Sequence, residues 1–531
     1  MADPTPIAVR LEPAGRDLRV PLGTLLREVL HAEGVEFPCG GVGRCRGCRV
    51  RVASGVLDPA PEDLRAFTPE QILNGWRLCC RARAQGSLTL DVAQWESVIL
   101  ADDSPYPFEP REGIGIAVDV GTTTLAAQLV DLERGRVLAV QTALNPQARF
   151  GADVMRRIDF ALNHGKADEL CEQLRKEIGN LVDRLVRCSR QSPGAIREIV
   201  LVGNTVMHHL FCGLDTTPLA HHPYHAIEDG EWSSTAGSLN WCGDGVGSES
   251  MPEETPVRFL PCLGGFVGSD LLSGILATGM HQQEEQTLLV DLGTNGELVL
   301  GNRHGWLCAS TAAGPAFEGA RISCGMRADT GAVCEVNIAH KLLDCRVIGG
   351  GRARGICGSG LVDAVAGALD LGWIDPSGRF SMGSTLPLCP GVTLIQSDLR
   401  ELQLAKAAIA AGIQVLLKEA GIAVEQLKTV WLAGAFGNYL NRDRARRIGL
   451  LPFASETVFA AGNTALRGAK IALGLGPQGA QLLSDIRTRT RHVPLNDHAE
   501  FMDAFVDSMS FPAASAEKRQ HPQHHLINSF E

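Results

Sequence analysis

The sequence lacks long apolar runs and an excess of basic residues. No uninterrupted apolar stretch reaches the ~18 residues that a membrane span requires, and residues 1–11 show no basic and then apolar targeting pattern. Lys and Arg number 49 against 60 Asp and Glu, and no basic run or basic-aromatic stripe occurs, which argues against a nucleic-acid partner. These absences predict a soluble cytoplasmic protein.

The length and the cysteine content limit the number of domains and the chemical state of the cysteines. A chain of 531 residues is expected to hold roughly two to four domains, which excludes a single small module. Its 16 cysteines favour scattered buried thiols plus one metal site over a disulfide framework, since the chain is predicted to be intracellular.

Three cysteines are clustered near the N-terminus. Cys39, Cys45 and Cys48 give Cys-x5-Cys-x2-Cys, and a fourth cysteine follows at Cys79 or Cys80. Plant-type [2Fe–2S] domains use Cys-x4-Cys-x2-Cys with a distant fourth cysteine, so this chain differs by one residue in a glycine-rich loop. A zinc site is disfavoured because the second Cys-x2-4-Cys knuckle is missing.

The residues around the cysteines indicate a small strand-rich domain. The predicted elements are strands 7–11 and 17–20, a helix over 24–33, and strands 49–53 and 88–92. This pattern resembles a β-grasp ferredoxin. Related domains end in Arg-Leu-(Ala/Ser)-Cys, which implies Cys39, Cys45, Cys48 and Cys80 as cluster ligands, although spacing alone leaves Cys79 open.

Two similar segments follow a proline-rich stretch. Strand, Asp-x-Gly-Thr turn and strand occur around Asp119 and again around Asp291. In each case an amphipathic helix and a buried strand that ends in glycine come later, at 199–203 and 430–434. Such self-similarity predicts two homologous α/β lobes with a cleft between them.

The two turns have the composition of phosphate-binding loops. Glycines 121 and 293 allow close approach of the backbone to phosphate oxygens, and the residues that follow supply hydroxyl and amide donors. Asp119 and Asp291 are the predicted catalytic residues because their carboxylates can hold hydrated Mg²⁺. No Gly-x4-Gly-Lys-Ser/Thr occurs, so the chain is not predicted to be a P-loop enzyme.

These motifs resemble the superfamily of actin, sugar kinases and heat-shock ATPases. The resemblance implies an adenosine motif in Leu-Ala-Gly-Ala-Phe-Gly at 432–437. The second glycine-rich turn, at 355–360, is open between a nucleotide contact and an ordinary strand-to-helix connection. The predicted nucleotide contacts are Gly121, Thr122, Thr123, Thr124, Gly293, Thr294, Asn295, Gly296, Gly434, Ala435, Phe436 and Gly437.

The fold class is therefore α/β multidomain, with an N-terminal β-grasp [2Fe–2S] ferredoxin domain and a duplicated, two-lobed actin-like ATPase. The predicted divisions are a ferredoxin-like domain over 1–94, a flexible linker over 95–112, ATPase lobes over 113–285 and 286–512, and a disordered tail over 513–531. A flexible linker would leave the ferredoxin domain free to move between partners.

The combination resembles the reductive activators of corrinoid-dependent enzymes. Further strings that carry the resemblance lie at 145–147, 151–154, 202–205, 207–209, 264–270, 314–320, 325–326, 399–406 and 448–452. The resemblance implies that a low-potential flavodoxin, ferredoxin or reductase reduces the cluster, which passes one electron to Co(II) in a separate corrinoid protein. ATP would drive the formation of Co(I) through closure of the lobes, and a homodimer is possible.

The chain departs from some relatives, and other functions remain open. It has no room for a further small domain before the ATPase, and no cysteine follows residue 480, so a single [2Fe–2S] cluster is expected. The alternatives are an activator of another low-potential metalloenzyme, a small-molecule kinase with Asp291 or Glu297 as base, and an electron carrier with a vestigial nucleotide fold.

Four other positions have open interpretations. For His208 and His209, helix packing or capping is favoured over a cobalt contact. Asp270 and Glu318 are open between cleft contacts and structural or solvated positions.

Overall fold

The computed structural model describes most of the chain. The described residues are 6–12, 16–32, 49–67, 69–92, 106–151, 153–242, 250–293, 295–319, 321–326, 328, 331–340, 342–348, 350, 352–437 and 439–513. Cys39, Cys45, Cys48 and Thr294 therefore lie outside the described residues, as does the predicted tail from residue 514.

The N-terminal domain is a five-stranded sheet with short helices. Its elements are β1 (Pro6–Glu12), β2 (Arg16–Pro21), α1 (Leu26–Ala32), β3 (Arg49–Ser54), α2 (Pro61–Ala66), α3 (Pro69–Leu73), β4 (Trp76–Leu78) and β5 (Leu88–Val92). The strand order is β2-β1-β5-β3-β4. Val9 and Leu11 of β1, and Leu88 and Leu90 of β5, are buried at alternate positions because successive strand side chains point to opposite faces.

The second sheet and its helices form lobe I. The elements are β6 (Ile114–Val120), β7 (Thr124–Asp131), β8 (Arg136–Leu144), α4 (Val154–Asn163), α5 (Ala167–Ser189), β9 (Ile196–Val202), α6 (Thr205–Cys212), α7 (Thr217–Ala220), β10 (Trp232–Thr235), β11 (Pro256–Phe259) and α8 (Ser269–Ala277). The six strands are ordered β10-β11-β9-β6-β7-β8.

Lobe II contains a second six-stranded sheet and two small sheets. The elements are β12 (Thr287–Leu292), β13 (Gly296–Asn302), β14 (Gly305–Thr311), β15 (Ala332–Ala339), β16 (Leu342–Val347), β17 (Gly355–Ile356), α9 (Gly358–Asp370), β18 (Thr385–Cys389), β19 (Val392–Ile395), α10 (Gln396–Ala420), β20 (Thr429–Ala433), α11 (Gly434–Gly437), α12 (Arg442–Arg447), β21 (Val458–Gly462), α13 (Thr464–Leu475), α14 (Pro477–Thr488), β22 (Thr490–His492) and α15 (Phe501–Asp507).

The two large sheets repeat one topology, which confirms the predicted duplication. Strands β11-β9-β6-β7-β8 of lobe I correspond in order to β21-β20-β12-β13-β14 of lobe II. In both lobes three antiparallel strands form a meander, and its first strand pairs in parallel with the strand after the long helix. Asp119 pairs with Val202 on β9, and Asp291 pairs with Ala433 on β20, so the two aspartates occupy equivalent places.

The long helices bury the apolar rows that the sequence predicts. Positions 170, 174, 178, 181 and 185 on α5, and 405, 409, 413 and 416 on α10, are all fully buried. The spacing of three and four residues places each row on one helix face. Helix α10 ends at Gly421, whose φ of 66° is readily adopted by glycine. None of the described helices is both long and apolar enough to cross a membrane.

Helices α8 and α13 join the lobes. A Cβ on Gly468 of α13 would lie 2.1 Å from the carbonyl oxygen of Ser273 on α8, so only glycine permits this approach. Helix α8 also packs on β12, where Gly274 meets the side chain of Leu289, and α13 packs on β6, where Leu473 meets Gly115. The apolar cluster around the crossing contains residues of both lobes.

The last part of the predicted linker is anchored to the ATPase. Tyr106 is buried, and the backbone N–H of Glu109 donates to the carbonyl of Gly474, with N···O 2.9 Å. Arg111 donates to Glu198 and to the carbonyl of Leu473. We call residues 106–111 the anchor segment; the predicted linker thus ends in a segment that is packed against lobe I and α13.

The buried Asp398 carboxylate joins separate segments of lobe II, and its substitution tests how much these hydrogen bonds stabilise the lobe. Its fully buried carboxylate accepts hydrogen bonds from the backbone N–H and hydroxyl of Ser323 and from the backbone N–H of Ile395. We expect Asp398→Ala to destabilise the protein by about 3 kcal/mol or more, because each buried donor left unpaired costs about 1–3 kcal/mol. Calorimetric unfolding would measure it, with the exposed Asp443→Ala as control; equal unfolding midpoints for the two variants would contradict this role.

Candidate functional site

The first Asp-x-Gly-Thr turn, Gly121 to Thr124, is held by buried polar side chains. The carbonyl of Gly121 accepts a hydrogen bond from the Asn145 amide at 2.9 Å, and the Asn145 backbone N–H donates to the carbonyl of Thr123. The guanidinium of Arg157 donates to the carbonyl of Thr122 at 2.5 Å. Since three consecutive peptide oxygens are engaged, the orientation of the turn is set before any ligand binds.

Arg157 is fully buried, a role that the sequence analysis missed. It also donates to the carbonyl of Gly151 and to the Gln147 amide oxygen. Burial lowers its pKa to about 10, so the side chain remains charged near neutral pH. A signal was present, because Arg157 lies within the apolar stripe of α4 between Val154 and Ile158.

The second turn connects β12 and β13 in the equivalent place. Gly293 donates its backbone N–H to the carbonyl of Asn295 at 3.0 Å. Asp291 pairs directly across the hairpin with Glu297, and Leu292 pairs with Gly296. The carboxylates of Asp291 and Glu297 therefore lie at the same end of the lobe II sheet.

Four buried carboxylates from the two lobes influence each other's ionisation across the cleft: Asp119, Asp270, Asp291 and Glu297. Burial raises the pKa of Asp119 to about 6, and the hydrogen bond from Asn463 opposes this change. Burial and the charge of Asp119 raise the pKa of Asp291 to about 7. Burial and the neighbouring carboxylates also raise the pKa values of Asp270 and Glu297. The structure thus brings the two predicted catalytic aspartates close enough for their charges to interact.

Two asparagines that the sequence analysis did not assign support the cleft. Asn463 donates its amide to the Asp119 carboxylate at 2.8 Å, and Asn204 donates to the Thr122 hydroxyl at 2.9 Å. Each also caps the helix that follows it, because its amide oxygen accepts a backbone N–H at the helix start. Asparagine immediately before an apolar helix is the sequence signal that could have identified them.

The predicted adenosine motif lies beside Asp291. Gly434 has a φ of 84°, and a Cβ there would lie 2.8 Å from both an Asp291 carboxylate oxygen and the carbonyl of Leu292. Glycine is thus required where β20 approaches the second turn. The Phe436 ring stacks on Phe317 with centroids 4.7 Å apart and an 18° angle between planes.

The glycine-rich turn at 355–360 serves close packing. A Cβ on Gly358 would lie 2.0 Å from the carbonyl of Phe317, and one on Gly360 would lie 2.2 Å from that of Val333. The Ser359 hydroxyl donates to the carbonyl of Cys334. Glycine is needed at these positions because the start of α9 packs closely against neighbouring backbone. This agrees with the strand-to-helix connection, one of the two interpretations that the sequence left open.

Most predicted nucleotide contacts lie around this cleft in the described part of the chain. The placed residues are Gly121, Thr122, Thr123, Thr124, Gly293, Asn295, Gly296, Gly434, Phe436 and Gly437. Thr294 and the side chain of Ala435 lie outside the described residues. Among the described residues, no three His, Cys, Asp or Glu side chains are grouped so that they could hold a metal ion directly.

Cys79 and Cys80 are buried directly after β4. Strand β4 pairs with β3 so that Leu78, the residue before Cys79, lies opposite Arg49, the residue after Cys48. The chain therefore leaves the described sheet toward Cys48 at the same end where Cys79 and Cys80 follow.

Buried polar contacts hold β4 beside these cysteines. The Asp63 carboxylate accepts the backbone N–H groups of Leu78 at 2.6 Å and Ala60 at 2.7 Å. The Arg77 guanidinium donates to the carbonyls of Leu57, Ile72 and Trp76. This strand has only three residues, too few for an alternating pattern to identify it, which is why the sequence did not predict it.

His208 and His209 pack inside lobe I. Both are buried, and the Nδ1 of His209 lies 2.8 Å from the carbonyl oxygen of Thr205. The His208 ring meets Phe259 edge-on with centroids 4.9 Å apart. Burial lowers the pKa of both rings, that of His208 to about 4. Neutral, packed rings agree with the structural interpretation favoured by the sequence.

Three family models match successive parts of the chain. Residues 9–85 match the 2Fe-2S iron-sulfur cluster binding domain. Residues 114–283 match the RACo middle region, and residues 285–523 match the C-terminal domain of RACo, the ASKHA domain. The N-terminal match supports a [2Fe–2S] cluster, and the ASKHA match supports nucleotide binding.

Three similar proteins match this chain over most of their length. The chain is 32% identical over 435 residues to the corrinoid activation enzyme RamQ of Eubacterium limosum, covering 75% of this chain and 70% of that protein. It is 29% identical over 385 residues to [Co(II) methylated amine-specific corrinoid protein] reductase of Methanosarcina barkeri, covering 66% and 68%. A solved structure, "Reductive activator for corrinoid,iron-sulfur protein", has 26% identity and a TM-score of 0.67, covering 96% of this chain and 98% of that chain.

The carboxylate cluster predicts a stability that depends on pH. Because folding raises the pKa of Asp291 from 3.8 to about 7, the folded state binds more protons than the unfolded state between these values. The nucleotide-free protein in EDTA should therefore lose stability as pH rises through this window. Asp291→Asn should weaken that dependence and raise the unfolding midpoint at pH 8.

Thermal unfolding of the native chain and of Asp291→Asn from pH 5 to pH 8 would measure how the stability of each depends on pH. The exposed Asp443→Asn is the control for loss of one negative charge. If Asp291→Asn had the same pH dependence as the native chain, the cluster would not carry the effect.

Proposed function

The chain belongs to the RACo family of activators of corrinoid proteins, and we propose that its cysteines and its duplicated turns carry out that activity as described below. The protein is an ATP-dependent reductive activator that passes one electron to Co(II) of a corrinoid protein and regenerates Co(I). The single observation that carries the residue assignment is the equivalent placement of Asp119 and Asp291, each at the end of the strand that precedes a duplicated turn.

We assign the cluster ligands to Cys39, Cys45, Cys48 and Cys80. Thiolates are the usual ligands of [2Fe–2S] clusters, and the cluster, when bound, supplies one-electron transfer at low potential. The pairing of Arg49 with Leu78 supports this set because it brings the chain next to Cys48 to the end of the sheet where Cys80 lies. Family resemblance favours Cys80 over Cys79, and both are equally buried.

The cleft is assigned to ATP with Mg²⁺. The turns at Gly121 and Gly293 would approach the phosphates, and Gly434 and Phe436 would border the adenosine. Mg²⁺ commonly keeps several of its waters, so Asp119 and Asp291 would hold the hydrated ion. The engaged carbonyls of the first turn support this role, because a preorganised backbone loses little entropy when a phosphate binds.

Partner proteins complete the reaction. The corrinoid is proposed to reside on a separate protein, and a flavodoxin, ferredoxin or reductase is proposed as the electron donor. ATP is required because reduction of Co(II) to Co(I) is unfavourable for a cluster of ordinary potential. The need for ATP and for a reduced cluster favours a cytoplasmic location.

Substitution of the adjacent cysteines separates the two possible fourth ligands. We expect Cys80→Ser to lose the [2Fe–2S] absorbance and the electron paramagnetic resonance signal of the reduced protein. Cys79→Ser should retain both, because a buried thiol that does not bind iron is replaced by a side chain of similar size. The opposite pattern would assign the cluster to Cys79.

The activity is tested by mixing the reduced protein with a Co(II) corrinoid protein and following the Co(I) absorbance band. We expect Co(I) to form with Mg-ATP and to form at least tenfold more slowly without it. Asp119→Asn and Asp291→Asn should lose this ATP dependence but retain the cluster spectrum. Absence of Co(I) with several corrinoid partners, despite an intact cluster and ATP hydrolysis, would instead favour activation of a different metalloenzyme.

A further inference from the structure

We propose that helix α13 couples the nucleotide site to the anchor segment, residues 106–111, through which the chain leads back to the ferredoxin domain. The inference rests on the proposed ATP site and adds a route by which its occupancy reaches the electron-transfer domain. It follows from the contacts at the two ends of α13 and along its length.

The N-terminal end of α13 is joined to the cleft by Asn463. Its amide nitrogen donates to the Asp119 carboxylate, and its amide oxygen accepts the backbone N–H of Leu466. Only one orientation of the amide satisfies both bonds, so a change at Asp119 acts directly on the helix cap. Asn463 is thus a positioning residue, because it holds both a predicted catalytic carboxylate and the start of the helix.

The body of α13 is packed closely against α8. Gly468 contacts the backbone of Ser273, and Thr464 lies against Gly274 on the crossing helix α8. Close-packed helices shift or rotate by small discrete steps and do not deform continuously. A helix of 12 residues spans about 18 Å, so a step at the cleft is carried to the far end.

The C-terminal end of α13 holds the anchor segment. Gly474 accepts the backbone N–H of Glu109 through its carbonyl, and a Cβ on Gly474 would lie 2.7 Å from the Tyr106 ring and 3.0 Å from Phe108. The ammonium of Lys470 lies 5.0 Å from the centre of the Tyr106 ring. The anchor segment therefore depends on the surface of this last helical turn.

The same segment is also fixed to lobe I. Arg111 donates one hydrogen bond to Glu198 on β9 and one to the carbonyl of Leu473 on α13. Glu198 in turn pairs with Arg258 at 2.6 Å. Because Arg111 contacts both the sheet and the helix, any shift of α13 relative to β9 changes its hydrogen bonds.

The attachment contains one unfavourable feature. The buried hydroxyl of Tyr106 has no hydrogen-bond partner among the described residues, and burial raises its pKa to about 12. A buried hydroxyl without a partner opposes the apolar packing of its ring. Nucleotide binding that moves α13 would thus loosen or tighten the anchor segment and change the reach of the ferredoxin domain.

Hydrogen–deuterium exchange of residues 106–111 in the full-length protein with its cluster tests the proposal. Exchange would be compared without nucleotide, with Mg-ADP and with a non-hydrolysable Mg-ATP analogue, and calorimetry would measure nucleotide binding. We expect the exchange rate of this segment to differ at least threefold between the nucleotide-free and ATP-analogue states.

Two pairs of variants separate coupling from loss of stability. Asn463→Ala removes a helix cap and the bond to Asp119, whereas Asn441→Ala removes only the cap of α12. Gly474→Ala places a methyl group against Tyr106, whereas a Cβ on Gly86 meets nothing within 4 Å, so Gly86→Ala is the matched control. Alanine also favours the helical conformation, so Gly474→Ala is not expected to unfold α13.

The expected results are specific. Asn463→Ala should abolish the nucleotide-dependent change in exchange, and Asn441→Ala should keep it. Gly474→Ala should exchange rapidly in every state and hydrolyse ATP, but ATP should no longer accelerate Co(I) formation; Gly86→Ala should behave as the native chain.

The results that would overturn the proposal are also distinct. Unchanged exchange in the native chain, with ATP bound and Co(I) formation accelerated, would overturn the coupling alone. Full ATP dependence in a Gly474→Ala protein with rapid exchange would do the same. Absence of nucleotide binding would overturn the proposed function together with this inference.

Discussion

The rest of the structure depends on holding like-charged carboxylates together at one cleft. Burial and the charge of Asp119 raise the pKa of Asp291, so ionisation of this carboxylate opposes folding when no ligand is bound. The apolar core around the crossing of α8 and α13 offsets this cost, since it buries residues from both lobes, such as Leu271 and Leu466. The stability of the lobe interface thus maintains a site whose charges favour binding of a cation with an anionic ligand.

Both candidate sites place their functional groups on short segments that are held by buried polar side chains from elsewhere. Arg157 fixes the carbonyl of Thr122 at the nucleotide cleft. Asp63 fixes the backbone of Leu78 next to the cysteine pair. The supporting residues reduce the motion of loops that otherwise would have to be ordered by the ligand. Buried residues outside the recognisable motifs, such as Arg157 and Asp63, are therefore part of both candidate sites because they hold the motif backbone in place.

The sequence predicted the elements that have long, regular patterns. The apolar rows of α5 and α10 and the repeated Asp-x-Gly-Thr hairpins were sufficient to predict two equivalent lobes, because each pattern is local and its period matches one type of element. Strand β4, with three residues, is too short to show a period. The prolines led to the prediction of a flexible linker over 95–112, and they did not reveal that Tyr106 between them packs against α13.

The sequence by itself determined the cysteine spacing, the two phosphate-type turns and the family to which they point, since these features require only residue types at fixed short separations. Only the tertiary structure decided which groups meet across the chain. Asn463 binds Asp119 across 344 positions, and Arg111 binds the carbonyl of Leu473 across 362. The physical reason is that hydrogen bonds act over about 3 Å, so these partners are selected by how the lobes pack, which no local pattern encodes.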